Sequence, residues 1–362
     1  MKPQILKKLL SITIPTFLVL VLSIVVTQEI YADHVEQLYM GATNEIYVYD
    51  GSNWTPTDPR LTAISEVRSI VKDDSGNLYV AGLGGGGVYK YDGTAWTSLG
   101  LTSVTNINTL AYGNGTLYAG GYNYAGVYKY TGGTNWDYIG FNSPEVITGL
   151  AVYNGNLYAG GNQNYGVRVW NGGTSWTDMG VSGYSDSNLW VAQATNTLYV
   201  YGIDTSRSYG KISKYDGGTA WTSIYNNSPH TWVIMGLAMD SDGDLFAAGS
   251  GYGTEYVFKY LGGTSWVETG FDNSLYLWIN SLTADDAGNV YASGVGSGSW
   301  SYGLVSKYDG TSWSRISFDG SKGFGPVIMY GPEGGVPEPA TVVGLVGAII
   351  AMGYRRVRNR RA

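Results

Sequence analysis

The residues that could do chemistry are few and mostly aromatic. Tyr209, Trp232, Tyr252, Trp278, Trp300 and Tyr302 stand apart from the regular spacing of the other aromatics, mostly among small and polar residues. Flat rings with little charge around them suit sugars, whose C–H faces stack on the ring while polar neighbours hydrogen-bond the hydroxyls. These six are the candidate ligand-binding platforms. Acid–base chemistry has thinner support. The chain has two histidines, His34 and His230, and no cysteine, which leaves out thiol nucleophiles, thiolate metal sites and disulfide staples. A His-dependent triad has only these two to draw on, and His230 has no partner readable from the sequence. Paired carboxylates acting on a polysaccharide, as a lyase or hydrolase, form the alternative chemistry, although no pair stands out by position. Asp240-Ser-Asp242-Gly-Asp244 puts three carboxylates on a tight turn and is a weak calcium candidate. The matching segments Asp73-Asp74-Ser-Gly and Asp285-Asp286-Ala-Gly suit a hairpin turn simply because Asp and Gly favour turns, and turn chemistry is the stronger reading. No cofactor is expected.

These residues are set in a chain of 362 residues with 54 Gly, 32 Tyr and 12 Trp, of which only 14% are charged. That composition excludes a coiled coil and a disordered tail protein, because so many aromatics can bury a large core. A Gly- and Thr-rich turn ending in Trp recurs seven times, at Trp54, Trp96, Trp136, Trp176, Trp221, Trp266 and Trp313, with spacings of 42, 40, 40, 45, 45 and 47 residues. Between the turns recur Leu-Tyr strands such as Leu117-Tyr-Ala-Gly-Gly121 and Tyr-Lys-Tyr strands such as Val127-Tyr-Lys-Tyr130. Short β-rich runs separated by Gly, Asn and Asp, at this period, make the four-stranded blade of a β-propeller. The expected fold is all-β, a seven-bladed β-propeller over 33–335. Blades are expected at 62–100, 101–140, 141–180, 181–225, 226–270 and 271–317, with a split first blade made of 36–61 and a strand from 324–330.

Trp170, Trp190, Trp232, Trp278 and Trp300 break the pattern; Trp170 replaces the repeat Tyr and is expected in the core. Blades 5 to 7 are longer than blades 2 to 4. Much of the surplus is expected in loops such as Ile203–Tyr209 and Gly249–Thr254, which open on one face around the central channel.

The two ends read as addresses. Lys2, Lys7 and Lys8 followed by an apolar run from Leu9 to Val26 form a secretory signal peptide over 1–32. Pro337-Glu338-Pro339, an apolar stretch from Ala340 to Tyr354, and the cluster Arg355, Arg356, Arg358, Arg360 and Arg361 close the chain. The apolar stretch is a short transmembrane helix whose basic end stays in the cytoplasm, so the preceding domain lies outside. This tail, 336–362, resembles the PEP-CTERM sorting signal of bacterial exported proteins. The resemblance implies an exosortase-type processing enzyme as partner, acting near the Pro-Glu-Pro element, and a cell-surface or exopolysaccharide-matrix destination. The repeats also resemble the Gly-Thr-x-Trp propeller repeats of bacterial surface proteins and, more loosely, the kelch and NHL classes, which implies fold and no functional residue.

Over 33–335 there are 26 Asp and Glu against 13 Lys and Arg, a charge of −13. Such a field does not attract nucleic acid or anionic lipid. The expected function is a non-enzymatic, exported propeller that binds glycan or protein partners at the cell surface.

Overall fold

The computed structural model describes residues 37–316 apart from short stretches at 43, 58, 123–125, 142–145, 162–165, 193–194, 207–208, 227–232, 252–253 and 297–302, together with 327–330. The two terminal segments, with Pro337, Glu338, Pro339 and the five tail arginines, lie outside the described residues, as do His34 and His230.

Seven four-stranded antiparallel sheets follow one another along the chain. They are the blades of an all-β, seven-bladed propeller, and the one helical turn among the described residues is the short 3-10 segment Asn273–Leu275. Blades 2 to 7 run 66–98, 107–138, 147–178, 184–226, 233–268 and 276–316, each with its first strand innermost and its last outermost. Blade 1 is assembled from both ends of the domain. Its second, third and outermost strands are Gln37–Ala42, Glu45–Tyr49 and Trp54–Pro56, and its innermost strand is Val327–Tyr330. That closing strand pairs antiparallel with the second, Leu38 opposite Met329 and Met40 opposite Val327. It also contacts the innermost strands of blades 2 and 7, which closes the ring.

Burial explains the repeat. A blade is covered on both faces by its neighbours, so its second strand is apolar at every position: Leu117 through Gly121 are all buried. One β-branched residue lies in or just before each third strand, as Ile46, Val88, Val127, Val167, Ile212, Val257 and Val305, and these are 0–1% exposed. The hydrophobic clusters lie between blades. Leu99 and Leu101 leaving blade 2, for example, pack with Ile107, Leu110 and Leu117 of blade 3.

The repeated Trp forms an outer girdle. Each indole lies 4.9–5.2 Å from a Tyr of its own blade's third strand in six blades. Its Nε1 donates to the preceding blade: Trp136 to the Leu99 carbonyl at 2.8 Å, Trp176 to Ile139 at 2.8 Å, Trp221 to Met179 at 3.0 Å and Trp266 to Ile224 at 2.8 Å. The partnering Tyr hydroxyl donates to a Gly carbonyl in the turn before the Trp, as Tyr260 does to Gly263 at 3.1 Å. Trp170 makes the same bond with Nε1, to Gly173 at 2.9 Å, which is why it can stand where the other blades have Tyr. It is half-buried in this girdle rather than part of the core, because the third strand lies near the outer edge of the blade. Trp266→Ala removes an indole bond and two ring contacts, with Tyr260 and Tyr225. The half-buried site should lose about 2 kcal/mol, read as a lower midpoint in urea unfolding.

The surplus residues of the later blades lengthen strands as well as loops. Gly249–Gly251 and Thr254 belong to the strands Leu245–Gly251 and Thr254–Gly262, joined by a two-residue connection. The expected loop there is a hairpin extension, since the alternation continues into the Thr254-Glu-Tyr-Val run and keeps it paired.

Candidate functional site

Each innermost strand is paired on one side only, so its other edge of N–H and C=O groups faces the propeller axis. The strands enclose a channel of about 560 Å³. Several of its polar side chains are placed by a repeated irregularity. In five blades a bulge inserts one extra residue into the innermost strand, and that residue is Arg68, Asn108, Thr148, Met235 or Asn280. A bulge re-aims a side chain, and all five line the channel.

Between blades 2 and 5 these side chains serve the free edge of the next blade. Arg68 Nη1 donates to Asn108 Oδ1 at 2.9 Å, Asn108 Nδ2 to the Ile147 carbonyl at 3.4 Å, and Thr148 Oγ1 to the Ser187 carbonyl at 2.7 Å. The residue after the bulge accepts instead: Leu110 N–H donates to Ser69 Oγ at 2.9 Å and Leu150 N–H to Thr109 Oγ1 at 3.2 Å. Buried strand-edge groups thus find partners across blades. At the next step the strands are too close for a side chain, since a Cβ on Gly149 would stand 2.4 Å from the Leu189 nitrogen.

Blade 5 departs from this pattern. Its bulge moves up to the start of the strand, between Tyr184 and Asp186, so Asn188 sits in register opposite Tyr201. Tyr201 occupies the place held elsewhere by Gly41, Ala81, Gly120, Gly160, Ala248 and Ser293. Trp190 occupies that of Val71, Ala111, Ala151, Ala238 and Thr283. Both large rings line the channel and pack on the cluster between blades 5 and 6. Burial pushes the Tyr201 phenol up to about 12. Among the described lining residues Arg68 and Lys72 are the cations and there is no carboxylate, although Glu66 Oε1 lies 3.2 Å from Arg68 Nε at its rim. The rings of Tyr112, Trp190 and Tyr201, a ring of amides and hydroxyls, and the cations Arg68 and Lys72 can hold a polyhydroxylated molecule.

The residues singled out from the sequence are placed less fully. Tyr209 is 37% exposed and closes the loop between the second and third strands of blade 5, its N–H on Asp204 Oδ1 at 3.1 Å. Trp278 lies in the innermost strand of blade 7, opposite Val295. Trp232, Tyr252, Trp300 and Tyr302 lie outside the described residues. Asp240, Asp242 and Asp244 form a turn: Asp240 Oδ1 accepts the N–H groups of Asp242 and Asp244 at 3.1 and 2.9 Å, and Lys259 pairs with Asp244. Among the described residues no three acidic or histidine side chains converge as metal ligands. Tyr201 was hidden as one more Tyr in a Tyr-rich strand; only aligning the seven repeats exposes it in a column of Gly, Ala and Ser.

A second polar feature lies between blades 6 and 7. Glu255, on the extended hairpin of blade 6, is fully buried. Its Oε1 accepts from Ser250 Oγ at 2.9 Å and its Oε2 from the Ile279 N–H of blade 7 at 3.2 Å. Burial raises its pKa to about 7.

No family model and no curated protein matches the chain. Solved structures do. A streptogramin B lyase superposes with a TM-score of 0.59 at 10% identity, covering 80% of this chain and 92% of that one. A catalytically inactive virginiamycin B lyase from Staphylococcus aureus with quinupristin gives 0.56 at 11% identity, covering 78% and 88%. A chain of a nidogen/laminin complex gives 0.51 at 10% identity, covering 83% and 100%. The likeness is one of fold.

Proposed function

We propose that this chain is an exported, non-enzymatic propeller of the cell surface or extracellular matrix that binds carbohydrate in its central channel. In this reading the signal peptide and the PEP-CTERM-like tail deliver it, and an exosortase-type enzyme processes it near Pro337, Glu338 and Pro339. The observation that carries the binding reading is the break in repeat symmetry at blade 5. Six blades have Gly, Ala or Ser where blade 5 has Tyr201, so the fold does not require the ring, and it lines the channel beside Trp190 and Asn188. The same symmetry supplies a clean test. Tyr201→Ala and Trp190→Ala restore residues the other blades use, and should weaken co-sedimentation of the protein with the producing cell's exopolysaccharide at least about tenfold, the loss expected when a stacked ring worth about 1.4 kcal/mol is removed. Unchanged sedimentation of both variants removes the channel from the binding site. Shortening of the polysaccharide by the native protein overturns the non-enzymatic reading in favour of a lyase or hydrolase.

A further inference from the structure

The pairing that closes the ring also fixes where the chain leaves it. In blades 2 to 7 the innermost and second strands are joined by a tight turn, as between Lys72 and Leu78, which pair, or between Gly113 and Thr116. In blade 1 that turn is missing, and its place is taken by the start of the first described strand and the end of the last: Gln37 pairs directly with Tyr330. The second strand runs from Gln37 to Ala42 and turns into the third at Glu45, on the face where the longer loops between blades lie. Tyr330 is therefore at the opposite face, among the short Asp-Gly turns, beside the axis.

Nine residues separate Tyr330 from the end of Pro337-Glu338-Pro339, and the apolar stretch 340–354 follows. Fully extended they reach about 30 Å. Passing outward across three strand spacings and then up the height of a seven-residue strand needs more, about 14 Å and about 23 Å. The connection is too short to carry the anchor around the outside to the loop face.

Resting on the reading of 340–354 as a membrane anchor, we propose that the face of short turns looks toward the membrane and that the loop face, with its channel mouth, looks away from it. Until the tail is cut, the propeller stands on its turn face and offers its channel outward. The turn face is not built to lie on anionic lipid. Asp50, Asp92 and Asp309 sit in its turns: turn N–H donors hold the Asp50 carboxyl low, the Thr94 hydroxyl and turn N–H groups hold Asp92 at about 2, and turn N–H groups with the Thr311 hydroxyl hold Asp309 at about 2. The face is tethered, and its charge holds it off an acidic surface.

The chain lacks cysteine, so single labels are unambiguous. Ser241→Cys marks an exposed turn of blade 6, and Ser103→Cys an exposed loop between blades 2 and 3. The chain without its signal peptide, residues 33–362, labelled with a donor dye, is reconstituted into phosphatidylcholine vesicles carrying an acceptor on a fraction of the headgroups. Energy transfer should be at least about twofold greater from position 241 than from 103, since about 23 Å of strand height separates the faces. Protein that floats with the vesicles but shows equal or greater transfer from 103 overturns the orientation and leaves the anchor standing. Protein that fails to float overturns the anchor reading and the orientation with it.

Discussion

A chain ending at residue 326 should lose the cooperative thermal transition of the propeller and aggregate on heating, whereas a chain ending at 335 should keep it. The shorter chain lacks four paired residues, which is a small part of the molecule. Their position makes the loss large. Without Val327–Tyr330 the strand Gln37–Ala42 presents an unpaired edge at the centre of the ring, next to Leu38 and Met40, which are 2% and 3% exposed in the closed form. A free edge beside apolar residues is a template for pairing with another copy. The neighbouring innermost strands of blades 2 and 7 also lose what they pack against. Calorimetry and light scattering on the two chains make the measurement. A 326 chain that unfolds at the same temperature, without scattering, would show that blade-to-blade packing holds the ring shut unaided.

Glu255→Gln should flatten the stability profile of the propeller between pH 5 and pH 8 and stabilise it at the upper end. The folded protein holds this carboxyl at about 7 against an ordinary value of 4.5, because it is buried. As pH rises from 4.5 the unfolded chain gives up its proton first, so stability declines up to about pH 7 and is level beyond. The difference between the folded and unfolded values corresponds to a loss on the order of 3 kcal/mol. Glutamine keeps an oxygen for the Ile279 N–H and can donate its amide to Ser250 Oγ, so both bonds across blades 6 and 7 survive without the buried charge. Urea unfolding at the two pH values compares the slopes. Equal slopes in the native and variant proteins would assign the pH dependence to another group.

Much of this architecture was legible in one dimension because a propeller is a repeat. Seven Trp turns, the Leu-Tyr strands and the Tyr-Lys-Tyr strands each recur because each blade meets the same two neighbours. The residues that satisfy one blade therefore satisfy all. Trp170 could be recognised as a variant of the repeat for that reason, though not as half-buried, since depth along a strand order is not written in the local pattern. The extension of the blade 6 hairpin was misread as loop because Gly249, Gly251 and Gly253 look like breakers; pairing with the following strand overrides them at Gly249 and Gly251.

The candidate channel residues were hidden for the opposite reason. Arg68, Asn108, Thr148 and Asn280 do not announce themselves by type. They line the axis because a bulge turns them there, and a bulge is a property of two strands in register. Tyr201 and Trp190 are ordinary strand residues until the seven sheets are arranged around one centre. Repetition in the amino-acid order was enough to determine the number and kind of blades, because that is set by local strand and turn chemistry repeated at one period. The channel lining, the buried carboxylate between blades 6 and 7, and the pairing of Gln37 with Tyr330 were decided only by closure of the ring, which brings together residues that no local pattern relates.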